Sequence, residues 1–214
     1  MSTVQHINLN SNSSDIKNLR IGDLVTISGS IHVTIGIPVH KHLIECIKEN
    51  DLSVCEEMKG GCFFHLSTYV EETSTGQKPL YINPSTSTRY NEWMPDLIDG
   101  FNLKMVGGKG GLDQRSVDQL TKNGCVYLSF LGGGSPFLSK GLKRVINSRW
   151  NNYISQFRLL TLEVDHFGPA TVAIDSTGNS IYGNLISSAE GKLDSIMNEL
   201  NTQRNKFIDQ FNLS

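Results

Sequence analysis

Two apolar runs in the middle of the chain each end in a cluster of glycines: LKMVGGKGG (residues 103–111) and CVYLSFLGGGSPF (125–137). Between them lies one short helical stretch, SVDQLTKNG, with Gly124 just past its end, where a left-handed C-cap belongs. A strand entering a glycine turn, then a helix, then a second strand entering a glycine turn is the pattern of an α/β domain.

The rest of the chain keeps this alternation. LRIGDLVTISGSIHVTIG (19–36) alternates β-branched and polar residues and is broken by Gly22, Gly29 and Gly36, which predicts two short strands with turns. Pro38 stands at the start of a predicted helix with Val39, Leu43, Ile44 and Ile47 at helical spacing. GGCFFHLSTYV (60–70) and LYINP (80–84) are strands on either side of a turn at ETSTGQKPL. TRYNEWMPDLIDGF (88–101) is helix-like, with Trp93, Leu97 and Ile98 on one side. Pro95 weighs against it, because proline inside a helix costs ~3 kcal/mol. Residues 138–160 have no clear period. LTLEVDHFGPATVAIDSTGNSIYGN (160–184) reads as strand, turn, strand, turn. The tail ISSAEGKLDSIMNELNTQRNKFIDQF (186–211) predicts an amphipathic helix, expected to pack on the protein's own sheet, with a helical-hairpin or partner-binding role as the alternative.

Length and composition narrow the functional classes. Hydrophobic residues at 38% and charged residues at 19% describe a folded chain, and 214 residues suffice for one good-sized domain. The expected division is a flexible, Ser/Asn-rich arm over residues 1–14 and a single domain over 15–214. Nineteen basic against 21 acidic residues, without a basic stripe, exclude an electrostatic binder of nucleic acid or membrane surfaces. The N-terminus has no apolar core of a secretion signal and no run reaches the ~18 apolar residues of a membrane helix, so a cytoplasmic location is expected. Cys46, Cys55, Cys62 and Cys125 lack ligand spacing and read as reduced thiols rather than a metal site.

Two stretches carry chemistry. VGGKGG fits neither the P-loop nor the dinucleotide template, but its glycines let a backbone approach a ligand closely and project Lys109 as a point charge. The alternative is a tight turn with a solvated lysine. NPSTSTR sets Ser85, Thr86, Ser87 and Thr88 ahead of Arg89. If a helix starts near Thr86, Ser85 is its N-cap, and the same geometry makes either an idle cap or a carboxylate cradle. Composition leaves both open.

IGDLVTISGSIHVTIGIPVHKHLIE, FFHLSTYV, PSTSTR, MVGGKGG and VDHFGPATVAIDSTGN, in this order, resemble the β component of iron–sulfur hydro-lyases: the C-terminal domain of class I fumarase and the β subunit of L-tartrate dehydratase. The resemblance runs from about residue 19 to residue 184. It implies a swivelling β/β/α domain, a mixed sheet with flanking helices. It also implies a hetero-oligomer in which a separate α subunit carries a [4Fe–4S] cluster, and no cluster in this chain. The substrate would be a small hydroxy-carboxylic acid that gains or loses water. Carried over residue by residue, Ser85 becomes the catalytic base with Thr86 beside it. Arg89 and Lys109 become clamps for substrate carboxylate, and His40 a histidine near the ligand.

Two positions depart from the family pattern. Gly36 stands where an arginine four residues before the histidine is usual, and LST (66–68) replaces AGP. A dicarboxylate asks for two anion clamps, so Gly36 points to a different substrate or to a non-catalytic anion- or partner-binding module of the same fold. His32 and His42 are expected as structural histidines, and so is His65, with a place in the cleft as its alternative. Asp175 is expected as a turn-former, and Gly132, Gly133 and Gly134 as a turn near the cleft.

Overall fold

The computed structural model describes residues 4–9, 14–74 and 76–211. The chain divides into two compact units, Met1–Ser180 and Ile181–Ser214.

The first unit is built on a seven-stranded mixed sheet. Its strands are β1 (Gln5–Asn8), β2 (Leu24–Val33), β3 (Cys62–Phe64), β6 (Met105–Gly108), β7 (Val126–Phe130), β8 (Leu142–Arg149) and β9 (Leu159–Ile174), in the order β1-β2-β3-β6-β7-β9-β8. β1, β2, β3, β6 and β7 run parallel, and β9 runs antiparallel to its neighbours. β9 also pairs with β2: Ala170 faces Val25 on one side and Phe130 on the other, which closes the sheet on itself. Inside the closed sheet sit Ile27, Ile31, Phe64, Leu128, Phe130, Leu162 and Phe167, all at most 2% exposed. The strands β4 (Leu66–Thr73) and β5 (Gly76–Pro84) form a separate antiparallel hairpin.

The helices follow the local signals. α1 (Ser14–Asn18) leads into the sheet. α2 (Ile37–Lys48) starts with Gly36 at its N-cap and Pro38 in its first turn, and buries Val39, His40, Leu43 and Ile44. α3 (Met94–Gly100) begins late enough that Pro95 occupies its first turn, where the missing N–H costs nothing. α4 (Gln114–Asn123) is capped by Asp113, whose carboxylate accepts from Ser116 N–H at 3.0 Å, and ends at Gly124 in the left-handed region (φ 62°). α5 (Ser135–Ser139) follows the second glycine cluster.

Four expectations are corrected. Of the N-terminal arm, residues 1–3 and 10–13 lie outside the described residues, but Gln5–Asn8 form an edge strand whose Ile7 is buried. Residues 24–33 are one strand, not two: Gly29 (φ 126°) sits at a register shift against β9 rather than in a turn. Residues 159–174 are likewise continuous, since pairing on both sides satisfies the backbone that a turn would have left open. The aperiodic stretch from residue 138 holds the end of α5 and the edge strand β8.

The second unit is one helix, α6 (Ile181–Phe211), 31 residues long. Along it Leu185 is 64%, Leu193 55% and Leu200 53% exposed. Among the described residues no helix is long and apolar enough to cross a membrane.

Candidate active site

β5 ends at Pro84 and β6 at Gly108, and the residues beyond each strand are laced together. Ser85 N–H donates to His65 O at 2.9 Å, Lys109 N–H to Ser85 O at 2.8 Å, and Ser87 N–H to Lys109 O at 2.7 Å. His65 N–H in turn donates to Gly107 O at 2.8 Å. Thr86 and Lys109 therefore face one another as a parallel bridge. Two stretches that stand more than 20 residues apart in sequence share one short ladder.

Glycine makes this approach possible. A Cβ at Gly108 would overlap the Ser87 hydroxyl and stand 2.9 Å from Ser85 O. A Cβ at Gly107 would stand 2.7 Å from Leu128 O. These two glycines are strand residues that give way to neighbours. The positive-φ turn that projects the lysine belongs to Gly110 (φ 80°) and Gly111 (φ 76°). Gly132 borders the lysine as well, since a Cβ there would lie 3.9 Å from Lys109 Nζ. Gly133 (φ 80°) makes the expected turn.

The hydroxyl run does not cap an α-helix. Residues Ser87–Tyr90 form a single 3-10 turn whose N-cap is Thr86, with no side-chain cap bond. Lys109 takes the Ser87 N–H that a helix N-terminus would have offered to an anion, so the site depends on side chains. Ser85 and Thr86 are half-buried, Lys109 is half-buried and Arg89 is exposed. Among the described residues neither Arg89 nor Lys109 has a carboxylate partner.

Behind the hydroxyls lies a stack of rings. Tyr90 packs against His40 (centroids 4.3 Å apart, 7° between planes) and His65 (4.2 Å, 22°), and the two imidazoles are 5.3 Å from each other, so the three rings form one cluster. Its hydroxyl donates to Ile35 O at 2.9 Å, so towards the Ser85 side chain it acts as acceptor. Burial raises the phenol above its ordinary value, against the Ser85 bond and the Arg89 charge, and keeps it protonated. His40 Nδ1 lies 2.8 Å from Gly36 O, which can only accept, so Nδ1 carries the proton. Burial lowers His40 to about 4, against the bond to Gly36. Burial and then the nearby His40 hold His65 well below its ordinary value. Both imidazoles are neutral at pH 7, and among the described residues neither buried Nε2 atom has a partner. Deeper still, Ser87 Oγ is 2.9 Å from His65 Nδ1 and accepts from Tyr127 O–H at 2.9 Å.

The structure thus joins Ser85, Thr86 and Lys109 through the backbone and sets Arg89 four residues beyond Ser85. His40 is fully buried and meets the site through Tyr90. Tyr90 and Tyr127 escaped sequence reasoning, since a tyrosine in a loop and one in a strand carry no local mark, and Ser87 stands in the hydroxyl run with no role of its own marked for it. His65, expected as a structural histidine, is part of the stack.

Gly36 has a steric cause. A Cβ there would overlap the Phe157 carbonyl oxygen and stand 3.0 Å from Phe157 Cα. The single turn Ser155–Phe157 is held against this strand end: Ile35 N–H donates to Gln156 O at 3.2 Å, and Thr34 Oγ1 donates to Phe157 O at 3.2 Å.

The remaining candidates are structural in their contacts. Asp175 accepts from Thr177 N–H (3.0 Å), Asn179 N–H (3.2 Å) and Asn179 Nδ2 (3.0 Å), a turn closed by its own carboxylate. His32 bridges Thr161 and Glu57 O, and burial lowers it to about 4. His42 is engaged by Glu45 and stacks on Trp150. All four cysteines are free. Burial pushes Cys55 and Cys62 up to about 12 and Cys125 well above its ordinary value, so these thiols stay protonated.

Comparison with known proteins adds a family. A family model described as "Fumarase C-terminus" matches residues 1–185. The putative L(+)-tartrate dehydratase subunit beta of Methanocaldococcus jannaschii is 30% identical over 184 residues, which span 86% of this chain and 93% of that protein. The L(+)-tartrate dehydratase subunit beta of Escherichia coli strain K12 is 23% identical over 188 residues, 88% of this chain and 91% of that protein. The putative class I fumarate hydratase of Geobacillus stearothermophilus is 28% identical over 179 residues, 83% of this chain but 33% of that protein.

Proposed function

The chain belongs to the fumarase C-terminus family, and on that premise we propose that it is the β subunit of a cytoplasmic hydro-lyase, which with an α subunit reversibly removes water from a small hydroxy-carboxylic acid. The observation that carries this reading is the ladder fastening Ser85 and Thr86 to Lys109, beside two cations that have no carboxylate partner among the described residues. A hydroxyl, a guanidinium and an ammonium backed by neutral rings favour a carboxylate ligand over a neutral one.

In the proposed reaction Ser85 Oγ takes a proton from the carbon next to the substrate carboxylate, and Arg89 and Lys109 hold that carboxylate. A serine hydroxyl is far too weak an acid to serve as a base unaided. Lys109 stabilises the oxyanion, while Tyr90, whose O–H is committed to Ile35 O, accepts from the Ser85 hydroxyl and positions it. Neutral His40 and His65 keep Tyr90 in place without adding charge. A [4Fe–4S] cluster would supply a Lewis acid for the departing hydroxyl. Cys55, Cys62 and Cys125 fit one poorly, being buried and protonated where a cluster needs thiolates, and in this reading the α subunit carries the cluster.

Gly36 bears on the substrate. With Phe157 against it, the position holds no second anion clamp, which favours a hydroxy acid with a smaller or uncharged second end. The same observation favours a second reading, a non-catalytic anion-binding module. Anaerobic co-expression with the α subunit, cluster reconstitution and assay against a hydroxy-acid panel separates the two. Turnover of any member supports the enzyme. Its absence with a full cluster, alongside retained carboxylate binding, supports the module. In the active complex Ser85→Ala is expected to lower kcat ~100-fold or more. Turnover within a few-fold of wild type would assign the base elsewhere.

A further inference from the structure

The family match ends at residue 185, and α6 continues to Phe211. The hydro-lyase reading therefore leaves this helix without a task. Its apolar residues recur at intervals of seven: Ile186, Leu193 and Leu200, with the register continuing to Phe207. Ala189 and Ile196 stand three residues after the first two. These residues occupy the a and d positions of a coiled-coil seam, which Leu185 and Met197 widen at its edges. Ile186 is 58%, Leu193 55%, Ile196 49% and Leu200 53% exposed. The opposite positions carry the polar residues Ser187, Asp194, Asn198, Asn201, Thr202 and Asn205, with Ile208 as an apolar exception.

We infer that α6 pairs in parallel with the α6 of a second copy of this chain, forming a two-stranded coiled coil that makes the protein a homodimer with or without its α subunit. The flanking charges select a second copy as the occupant. In a parallel, in-register pair the residue before each of Ile186, Leu193 and Leu200 meets the residue five places later on the other helix. Here that sets Glu199 against Arg204, twice by symmetry. The two preceding flanks, Leu185 with Glu190 and Lys192 with Met197, bring no like charges together. The polar seam residue Gln203 supports the same orientation. In register it meets its own copy and the two amides pair, whereas an antiparallel partner would set it against Ile186. In the single chain Gln203 donates to Glu199 Oε1 at 3.2 Å, leaving Oε2 for an arginine. The seam from Ile186 to Phe207 covers three heptads, about 33 Å at 1.5 Å per residue, so the dimer dissociates on dilution.

Sedimentation equilibrium of the full chain alone, from about 1 to 100 µM, tests this. The expected result is a mass rising with concentration from one 23.7 kDa chain to two. Leu193→Asp/Leu200→Asp should stay monomeric throughout, with the melting of the sheet unit unchanged. Arg204→Glu should raise the dissociation constant at least 10-fold, and Glu199→Arg/Arg204→Glu should restore it to within about threefold. A wild-type chain monomeric at 100 µM overturns the proposal, and so does a dimer that survives the seam substitutions. A dimer indifferent to Arg204→Glu overturns the parallel pairing.

Discussion

Gly108→Ala should damage both the fold and the site, because one methyl group has nowhere to go. Its Cβ would overlap Ser87 Oγ and lie 2.9 Å from Ser85 O and 3.2 Å from His65 Cβ. None of these neighbours is a loose end. Ser87 Oγ is held by His65 and Tyr127, and Ser85 O accepts from Lys109 N–H. Overpacking a tight core costs ~1–3 kcal/mol, and a buried hydrogen bond lost from Ser87 adds ~1 kcal/mol. The sum, about 2–4 kcal/mol, lowers Tm by roughly 5–15 °C in a chain of this size. Turnover should fall further than stability alone implies, since displacing Ser85 by ~1 Å costs ~100-fold. Urea unfolding of the chain and assay of the complex read the two effects separately. Ser87→Ala/Gly108→Ala should be less destabilised than the sum of its singles by at least ~1 kcal/mol, because the first substitution removes the atom that the second strikes. Gly191→Ala is the control: nothing lies within 4 Å of that Cβ position, and an alanine should favour its helix by ~0.5–1 kcal/mol. An unchanged Tm for Gly108→Ala, or strict additivity with Ser87→Ala, would refute the close-packing argument.

Three further outcomes are expected. Gly36→Ala should cost ~2 kcal/mol or more in urea unfolding, because the Phe157 carbonyl must move; a neutral result would show that the turn yields freely. Tyr90→Phe keeps the ring stack but removes the bonds to Ile35 O and Ser85, so stability should fall by ~1 kcal/mol and kcat by ~10-fold or more. Equal kcat in that variant would detach Tyr90 from the base. His32 and His40 have folded values of about 4, below their ordinary 6.5, so the unfolded chain binds more protons between those limits. Their contribution is complete above pH 6.5 and is lost as pH falls towards 4, up to ~3 kcal/mol for each. A urea midpoint that stays flat from pH 7.5 to 4.5 would contradict their buried, neutral state.

Some of this was legible in the chain before any coordinates. Helix starts at Pro38 and Asp113 and the stop at Gly124 are local, each set by a proline's missing donor, a side-chain cap or a left-handed glycine. The five stretches behind the family resemblance named Ser85, Thr86, Arg89 and Lys109. They did not reveal that His65 sits between two of them, because a histidine on an apolar run reads the same whether it fills a core or backs a site. The turns expected at Gly29 and near Gly168 failed for a related reason: a glycine marks a break in local preference, and pairing across the closed sheet bridged it.

Local preference and patterning, which act over a few residues, determined the α/β class, the helix ends and the identity of the hydroxyl and cationic side chains. Only the tertiary structure decided that Thr86 faces Lys109, that Tyr90 clusters with two neutral histidines, and that Phe157 occupies the space over Gly36. Those relations depend on which strands become neighbours and on how much room a backbone leaves for a Cβ. Both are properties of the packed sheet and have no counterpart in any short stretch of the chain.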